Sequence, residues 1–242
     1  MKLALIGYGK MGHAVERIAR ERGHEIVSVI DKDNLSDFDS EAFCRADAAI
    51  EFTTPSTAVD NIKRSVDKGV PVVCGSTGWY DAKSEVDSYV TAHDSALLAT
   101  SNFSIGVNVM FEINSRLARM MNSLPQYSAS LSETHHIHKL DHPSGTAITL
   151  LNEITTECDR YHGWEETDKA ETGMIPVTCI RRDEVPGIHS VSWDSAVDTI
   201  TITHDAHSRD GFALGAVMAA EWIAGKKGIF TMRQMLTDLN IL

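Results

Sequence analysis

Short continuous apolar runs alternate with segments of helical periodicity through the first hundred residues. Leu3–Ile6 is apolar without interruption, the pattern of a strand buried on both faces. Met11, Ala14, Val15, Ile18 and Ala19 then recur at the spacing of one helix face, which predicts a helix over Met11–Glu21. Ile26–Ile30, Asp47–Phe52, Val70–Cys74 and Ala96–Thr100 predict further strands. Ser56–Asp67 and Asp81–Ala92 lie between them as predicted helices, the second with Asp81 as N-cap. Strand–helix alternation of this kind builds a parallel sheet covered by helices on both faces.

After Asn102 the pattern changes. Ile105–Met121 predicts one long connecting helix, and Tyr127–Ser132 alternates apolar with polar residues. A further helix starts at Ser144-Gly145-Thr146 and runs through Ala147, Leu150, Leu151 and Ile154. Val177–Arg181, Ile188–Trp193 and Thr199–Thr203 read as antiparallel strands joined by turns at Glu184–Gly187 and Asp194–Ala196. Phe212–Ala224 is an apolar, Ala-rich helix that can return to the first domain. The expected fold is therefore α/β, a parallel-sheet domain plus an α+β domain with a mainly antiparallel sheet. Residues 1–103 and 213–242 form the first domain and residues 104–212 the second.

Composition narrows the function. The 242 residues are 43% hydrophobic and 23% charged, as in ordinary globular proteins. A net charge of −12 speaks against nucleic-acid or anionic-membrane partners, and requires a local cationic cluster if the substrate is an anion. No stretch approaches a membrane span. Four scattered cysteines, without a C-x-x-C pair, suggest reduced thiols in a cytoplasmic protein.

Gly7-Tyr8-Gly9-Lys10-Met11-Gly12 matches G-x-G-x-x-G between a predicted strand and a predicted helix, the context in which the motif holds a dinucleotide pyrophosphate. The first glycine permits a tight turn, the second lets backbone approach the phosphates, and the third lets helix and strand pack closely. Asp31 ends the second strand, where an acidic residue binds the adenosine ribose, and Lys32 beside it can contact a 2′-phosphate. The first domain is thus expected to be of Rossmann type and to use NADH or NADPH.

Glu133 to Asp141 concentrates His135, His136, His138 and Lys139 in five positions. A solvated polar turn is the plain explanation. A metal is the second, with His136 and His138 on one face of a strand and Asp141 or His142 as third ligand. Catalysis is the third: close cations disfavour one another's charged forms, and a dianionic substrate reverses that, producing a competent acid when it arrives. Ser144-Gly145-Thr146 adds hydroxyls and a helix start that can hold a carboxylate. The conjunction favours catalysis without a resident metal.

Glu133–Ala147, E-T-H-H-I-H-K-L-D-H-P-S-G-T-A, resembles the signature E-x-H-H-x-x-K-x-D-x-P-S-G-T-A of the 4-hydroxy-tetrahydrodipicolinate (dihydrodipicolinate) reductases. Gly75-Ser76-Thr77-Gly78 resembles that family's G-T-T-G loop, Ser101–Asn108 its N-F-S-x-G-V-N segment, and Phe52-Thr53-Thr54-Pro55 its turn after a Rossmann strand. The resemblance implies reduction of a small cyclic dicarboxylate in the diaminopimelate route to lysine, by a homotetramer. His135 would be the general acid and Lys139 the second catalytic cation. His136, Ser144, Gly145 and Thr146 would hold substrate carboxylates. Gly7 to Gly12, Asp31, Lys32, Gly75, Ser76, Thr77, Thr100, Ser101, Asn102 and Phe103 would bind the cofactor.

Some positions depart from the family pattern. The chain looks shorter than usual, with loops trimmed in the first domain and around Asp159–Ile175. Asp183 replaces the first glycine of R-x-G-x-x-x-G-x-H over Arg181–His189, leaving the conformation of that turn open. Ser76 for threonine keeps the hydroxyl. Lys32 stands for an arginine of some members and lacks its forked contact. Rival functions are an aspartate or homoserine dehydrogenase, a redox-sensing binding protein and a zinc hydrolase. None of them accounts for the Glu133–Ala147 segment together with His135 and Lys139.

Overall fold

A computed structural model describes residues 1–242. The chain forms two compact units: Met1–Ile105 with Arg209–Leu242, and Gly106–Ser208.

The first unit is built on a six-stranded parallel sheet of order β11-β5-β4-β3-β1-β2. Its strands are β1 (Lys2–Ile6), β2 (Glu25–Ile30), β3 (Ala48–Glu51), β4 (Val72–Cys74), β5 (Ala96–Ala99) and β11 (Gly228–Phe230). Leu3, Ala4, Leu5 and Ile6 are at most 1% exposed, as their uninterrupted apolar run requires. Each such Leu or Ile contributes roughly 1.5–3 kcal/mol by leaving water. Helices α1 (Lys10–Glu21), α2 (Glu41–Cys44), α3 (Pro55–Asp67), α4 (Lys83–Ala92), α7 (Asp210–Ile223) and α8 (Met232–Asp238) cover it. The expected cap at Asp81 is not formed. A 3-10 turn over Tyr80–Ala82 takes up that residue, and α4 starts after Ala82 with no side-chain cap. The strand order changes direction about β1 and β3, so the loops after those strands open at a switch point.

The second unit holds α5 (Ile105–Asn122), which begins on the last residue of the first unit, and a five-stranded sheet of order β10-β9-β6-β8-β7. Its strands are β6 (Ser128–His135), β7 (Gly163–Glu166), β8 (Met174–Arg181), β9 (Gly187–Asp194) and β10 (Thr199–Ala206). The sheet is mixed: β10–β9 and β9–β6 are antiparallel, whereas β6–β8 and β8–β7 are parallel. β8 and β9 follow one another in the chain but do not pair, because β6 lies between them. One face is packed by α6 (Gly145–Glu157) through Ala147, Leu150, Leu151 and Ile154, around the fully buried Trp193.

Candidate active site

In the first unit, each glycine of the loop after β1 has a distinct steric reason. Gly7 has φ +90°, and a Cβ there would meet the Phe52 carbonyl oxygen at 2.1 Å. A Cβ on Gly12 would meet the Gly7 carbonyl oxygen at 2.4 Å, while one on Gly9 would meet nothing within 4 Å. Backbone is therefore open at Gly9, at the start of α1, where a pyrophosphate would rest on helix N–H groups. A cavity of about 510 Å³ adjoins it, lined by Gly7, Tyr8, Gly9, Asp31 and Lys32 and by Thr53 from the loop after β3. Lys10, Met11 and Gly12 belong to the first turn of α1 and lie outside that lining.

The other expected cofactor residues sit at the carboxyl ends of β4 and β5. Gly75 abuts the Phe52 ring, where a Cβ would come within 2.0 Å. Ser76 is buried; its hydroxyl accepts from the Thr53 amide at 2.8 Å and donates to Glu51 Oε1 at 3.1 Å. Thr77 and Ser101 are exposed. The Thr100 hydroxyl accepts from the Asn102 amide at 3.2 Å, and the buried Phe103 ring stands edge-on to Phe52 at 5.9 Å. Phe52 thus ties together the loops after β1, β3, β4 and β5.

In the second unit, strand register assembles the histidine site. Ala129, Leu131, Glu133 and His135 are the buried set of β6. Glu133 is the Cα partner of His189 on β9 and of Cys179 on β8, and His135 is the partner of Arg181. Glu133 accepts from the Ser144 amide at 3.0 Å and from Arg181 Nη2 at 3.1 Å. Burial works to raise its carboxyl, but the Ser144 hydroxyl and amide and the two imidazoles outweigh burial and hold it below the usual carboxylate range. The Ser144 hydroxyl lies 3.0 Å from His189 Nε2 and caps α6 by accepting from the Ala147 amide. Burial and the neighbouring His135 push His189 down to about 4, so it is a neutral partner. Cys179 is pushed up to about 12 by burial and by the Glu133 and Glu166 charges.

His135 is 7% exposed, with its ring edge-on to His189 at 4.9 Å. Its Nδ1 is 3.7 Å from Glu133 Oε1 and buried without a hydrogen-bond partner, as is Nδ1 of His136. Burial holds His135 below its ordinary value; Glu133 opposes that shift, and the Lys139 and Arg181 charges reinforce it. Lys139 pairs with Asp141 at 2.8 Å, and Arg181 steadies this loop by donating to the Asp141 carbonyl at 2.6 Å. Gly145 and Thr146 form the first turn of α6, and a Cβ on Gly145 would meet nothing within 4 Å. His136 and His138 do not share a strand face, since β6 ends at His135 and the chain turns, leaving the two rings 6.0 Å apart.

The comparisons with known proteins agree over both units. The family model described as "Dihydrodipicolinate reductase, N-terminus" matches residues 1–103, and the corresponding C-terminus model matches residues 106–236. The chain belongs to the dihydrodipicolinate reductase family. A 4-hydroxy-tetrahydrodipicolinate reductase of Christiangramia forsetii is 46% identical over 99% of both chains. One from Neisseria meningitidis serogroup C is 32% identical over 84% of this chain and 77% of its own. In fold, the chain is similar to a dipicolinate-bound dihydrodipicolinate reductase from Paenisporosarcina sp. TG-14, with TM-score 0.79 at 20% identity, covering 96% of this chain and 97% of that one.

Asp183, where the family pattern has a glycine, lies in the left-handed region that glycine adopts freely. It has φ +48°, and its carbonyl accepts from the Ile137 amide at 3.1 Å, so the turn is closed here by a left-handed aspartate. The Christiangramia reductase matches nearly end to end and is of about this chain's length, whereas the Neisseria reductase, matched over 84% of this chain and 77% of its own, is longer. Arg181 and His189 bound the family motif R-x-G-x-x-x-G-x-H but had no role assigned from sequence, and the buried Glu51 was not singled out. The signal for Glu133 was present: the Tyr127–Ser132 alternation, continued by one step, puts it on the buried face with Leu131. Glu51 accepts from Ser76, from the Thr53 amide at 3.1 Å and from the Thr53 hydroxyl, which makes it the anchor beneath the loops after β3 and β4.

Proposed function

We propose that this family member reduces 4-hydroxy-tetrahydrodipicolinate to tetrahydrodipicolinate, the 4-hydroxyl leaving as water, with His135 as general acid and Lys139 as second cation. Bound NADH or NADPH supplies the hydride. The single observation that carries the site assignment is the buried Glu133–His135–His189–Ser144 cluster at the start of α6, flanked by Lys139 and Arg181.

The residues divide the work. Ser144, Gly145 and Thr146 present a helix start to one substrate carboxylate, and His136 and Lys139 take up further negative charge. Glu133 and the neutral His189 fix Ser144 from below and orient that start. His135, held neutral in the free protein by burial and cationic neighbours, gains a proton when the dicarboxylate offsets those charges, and delivers it to the ring. In the first unit, the Gly7–Gly12 loop and α1 hold the cofactor pyrophosphate. Asp31 takes the ribose, and Gly75, Ser76, Thr77 and Thr100 to Phe103 border the nicotinamide.

The enzyme is further proposed to act in the cytoplasm as a homotetramer, with no nucleic-acid partner. The homotetramer is what the family resemblance implies; the net charge of −12 speaks against a nucleic-acid partner, the scattered cysteines suggest reduced thiols, and no helix is long and apolar enough to cross a membrane. Light scattering checks the oligomer.

The test of the reaction mixes purified protein with product freshly made by dihydrodipicolinate synthase from pyruvate and aspartate semialdehyde. The near-ultraviolet absorbance of NADH or NADPH is followed, with a control lacking synthase. Rapid synthase-dependent oxidation is the expected result. No oxidation with either cofactor, from protein that still binds NADH, would overturn the assignment.

A further inference from the structure

The loop from Lys139 to Ser144 meets a second group of metal-ligating side chains that the reaction does not use. His142 Nδ1 lies 3.3 Å from Glu166 Oε1, and these atoms fall within 4.8 Å of one another and of Cys179 Sγ. Topology makes the grouping specific. Glu166 on β7 is the Cα partner of Val177 on β8, and Cys179 stands two residues beyond Val177, on the same face of the sheet. His142 meets this carboxylate and thiol from the loop that leads into α6.

We propose that His142, Glu166 and Cys179 bind a thiophilic divalent cation, Zn²⁺ being the best fit, and that the cation ties the Lys139–Ser144 loop to β7 and β8. One imidazole, one carboxylate and one thiolate make a zinc-type donor set, with water completing the tetrahedron. Zinc–ligand bonds of roughly 2.0–2.3 Å place neighbouring donor atoms about 3.3–3.7 Å apart. The His142–Glu166 pair already stands at 3.3 Å, and both side chains, 37% and 44% exposed, are free to close on the sulfur. Binding displaces the Cys179 thiol proton to solvent, so one cation enters as one proton leaves. The buried trio Glu133, His135 and His189 is a poorer candidate, because Glu133 is already committed to the Ser144 amide and Arg181. Cys179 is the register partner of Glu133, so a cation on it lies directly beside the catalytic cluster.

Cofactor-free, full-length protein is titrated with Cd²⁺, whose thiolate complexes absorb in the ultraviolet, and with Zn²⁺ by calorimetry. The expected result is one cation per chain and a thiolate band that is lost in Cys179→Ser but kept in Cys44→Ser. Binding should be at least tenfold weaker in His142→Ala and in Glu166→Gln, two exposed positions whose replacement leaves the fold intact. Zn²⁺ should also slow hydrogen exchange at Leu140 to Ser144. A band that survives Cys179→Ser, or an affinity unchanged in both His142→Ala and Glu166→Gln, would overturn the site. The test needs neither substrate nor nicotinamide, so its outcome is independent of the proposed reaction.

Discussion

A Cβ on Gly187 would stand 3.0 Å from Nε2 of His135 and 3.2 Å from its Cδ2, so bare backbone packs against the imidazole. His189 confines the ring on another side, and His135 is too buried to swing into solvent. Gly187→Ala is therefore expected to displace the acid itself. Since a misplacement of about 1 Å costs on the order of a hundredfold, turnover should fall by tenfold or more while cofactor affinity in the first unit stays unchanged. Steady-state kinetics beside a cofactor-binding titration checks this, and an unchanged kcat would show that the ring position does not matter.

His135→Gln keeps the size and polarity of the side chain but removes the proton. Turnover is expected to drop by roughly 10²–10⁴, with NADH binding retained; equal loss of both would sink the assignment. The pH profile gives a second readout. An acid must be protonated, so activity falls as pH rises through its pKa. Burial and the Lys139 and Arg181 charges lower that pKa in the free protein, and bound carboxylates raise it. The alkaline limb of kcat/KM should thus lie at lower pH than that of kcat, and both limbs should vanish in His135→Gln.

Asp31 directly follows β2 at the rim of the first-unit cavity. Its amide is fixed by Asn34 Oδ1 at 2.7 Å and its Oδ1 accepts the Lys32 amide at 2.9 Å, so the carboxylate is held in place before a ribose arrives. A hydrogen bond to a charged acceptor is worth about 1.5–3 kcal/mol, which is roughly ten- to a hundredfold in affinity. Asp31→Ala should weaken NADH binding by about that factor and NADPH binding less, because Asp31 repels a 2′-phosphate. Fluorescence titration with each cofactor measures both, and equal losses would remove Asp31 from the ribose site.

What was legible in the sequence follows from range. The proposed nucleotide cradle is written in contiguous residues, since Gly7, Gly9 and Gly12 fall within one strand–turn–helix unit, although the contact that needs Gly7 comes from Phe52. The central strands of both sheets were legible because burial on one face leaves an alternation in the residues and burial on both leaves an uninterrupted apolar run. The roles of Arg181 and His189, which the family motif names without explaining, were hidden because they arise from register: β6 inserts between β8 and β9 and draws both onto Glu133. β8 and β9 do run antiparallel as expected, but for the same reason they are not paired neighbours. Gly163–Glu166 and Gly228–Phe230 are too short to show a period, and they extend sheets whose interiors were already marked. At Asp81, a 3-10 turn won over the expected cap.

Glu153 on α6 offers a test of burial that is separate from catalysis. Asn114 Nδ2 donates to its Oε2 at 2.9 Å, no cation faces it, and burial pushes its carboxyl from 4.5 up to about 7. A folded value above the unfolded one means the native state keeps a proton that the unfolded chain has released. That contribution is fully present below about 4.5 and is lost as pH rises through about 7. Above neutrality the fold therefore carries an ionised carboxylate in a partly buried place. Glu153→Gln retains an acceptor for Asn114 without the charge. Full linkage would amount to ~3 kcal/mol, and solvent screening at this partly exposed group reduces the expected gain to about 1 kcal/mol. For a chain of this size that is a rise in Tm of roughly 2–4 °C at alkaline pH, with little change under mildly acidic conditions. Thermal melts on either side of neutrality check it; the same gain at both would show that packing, and not charge, sets the cost of Glu153.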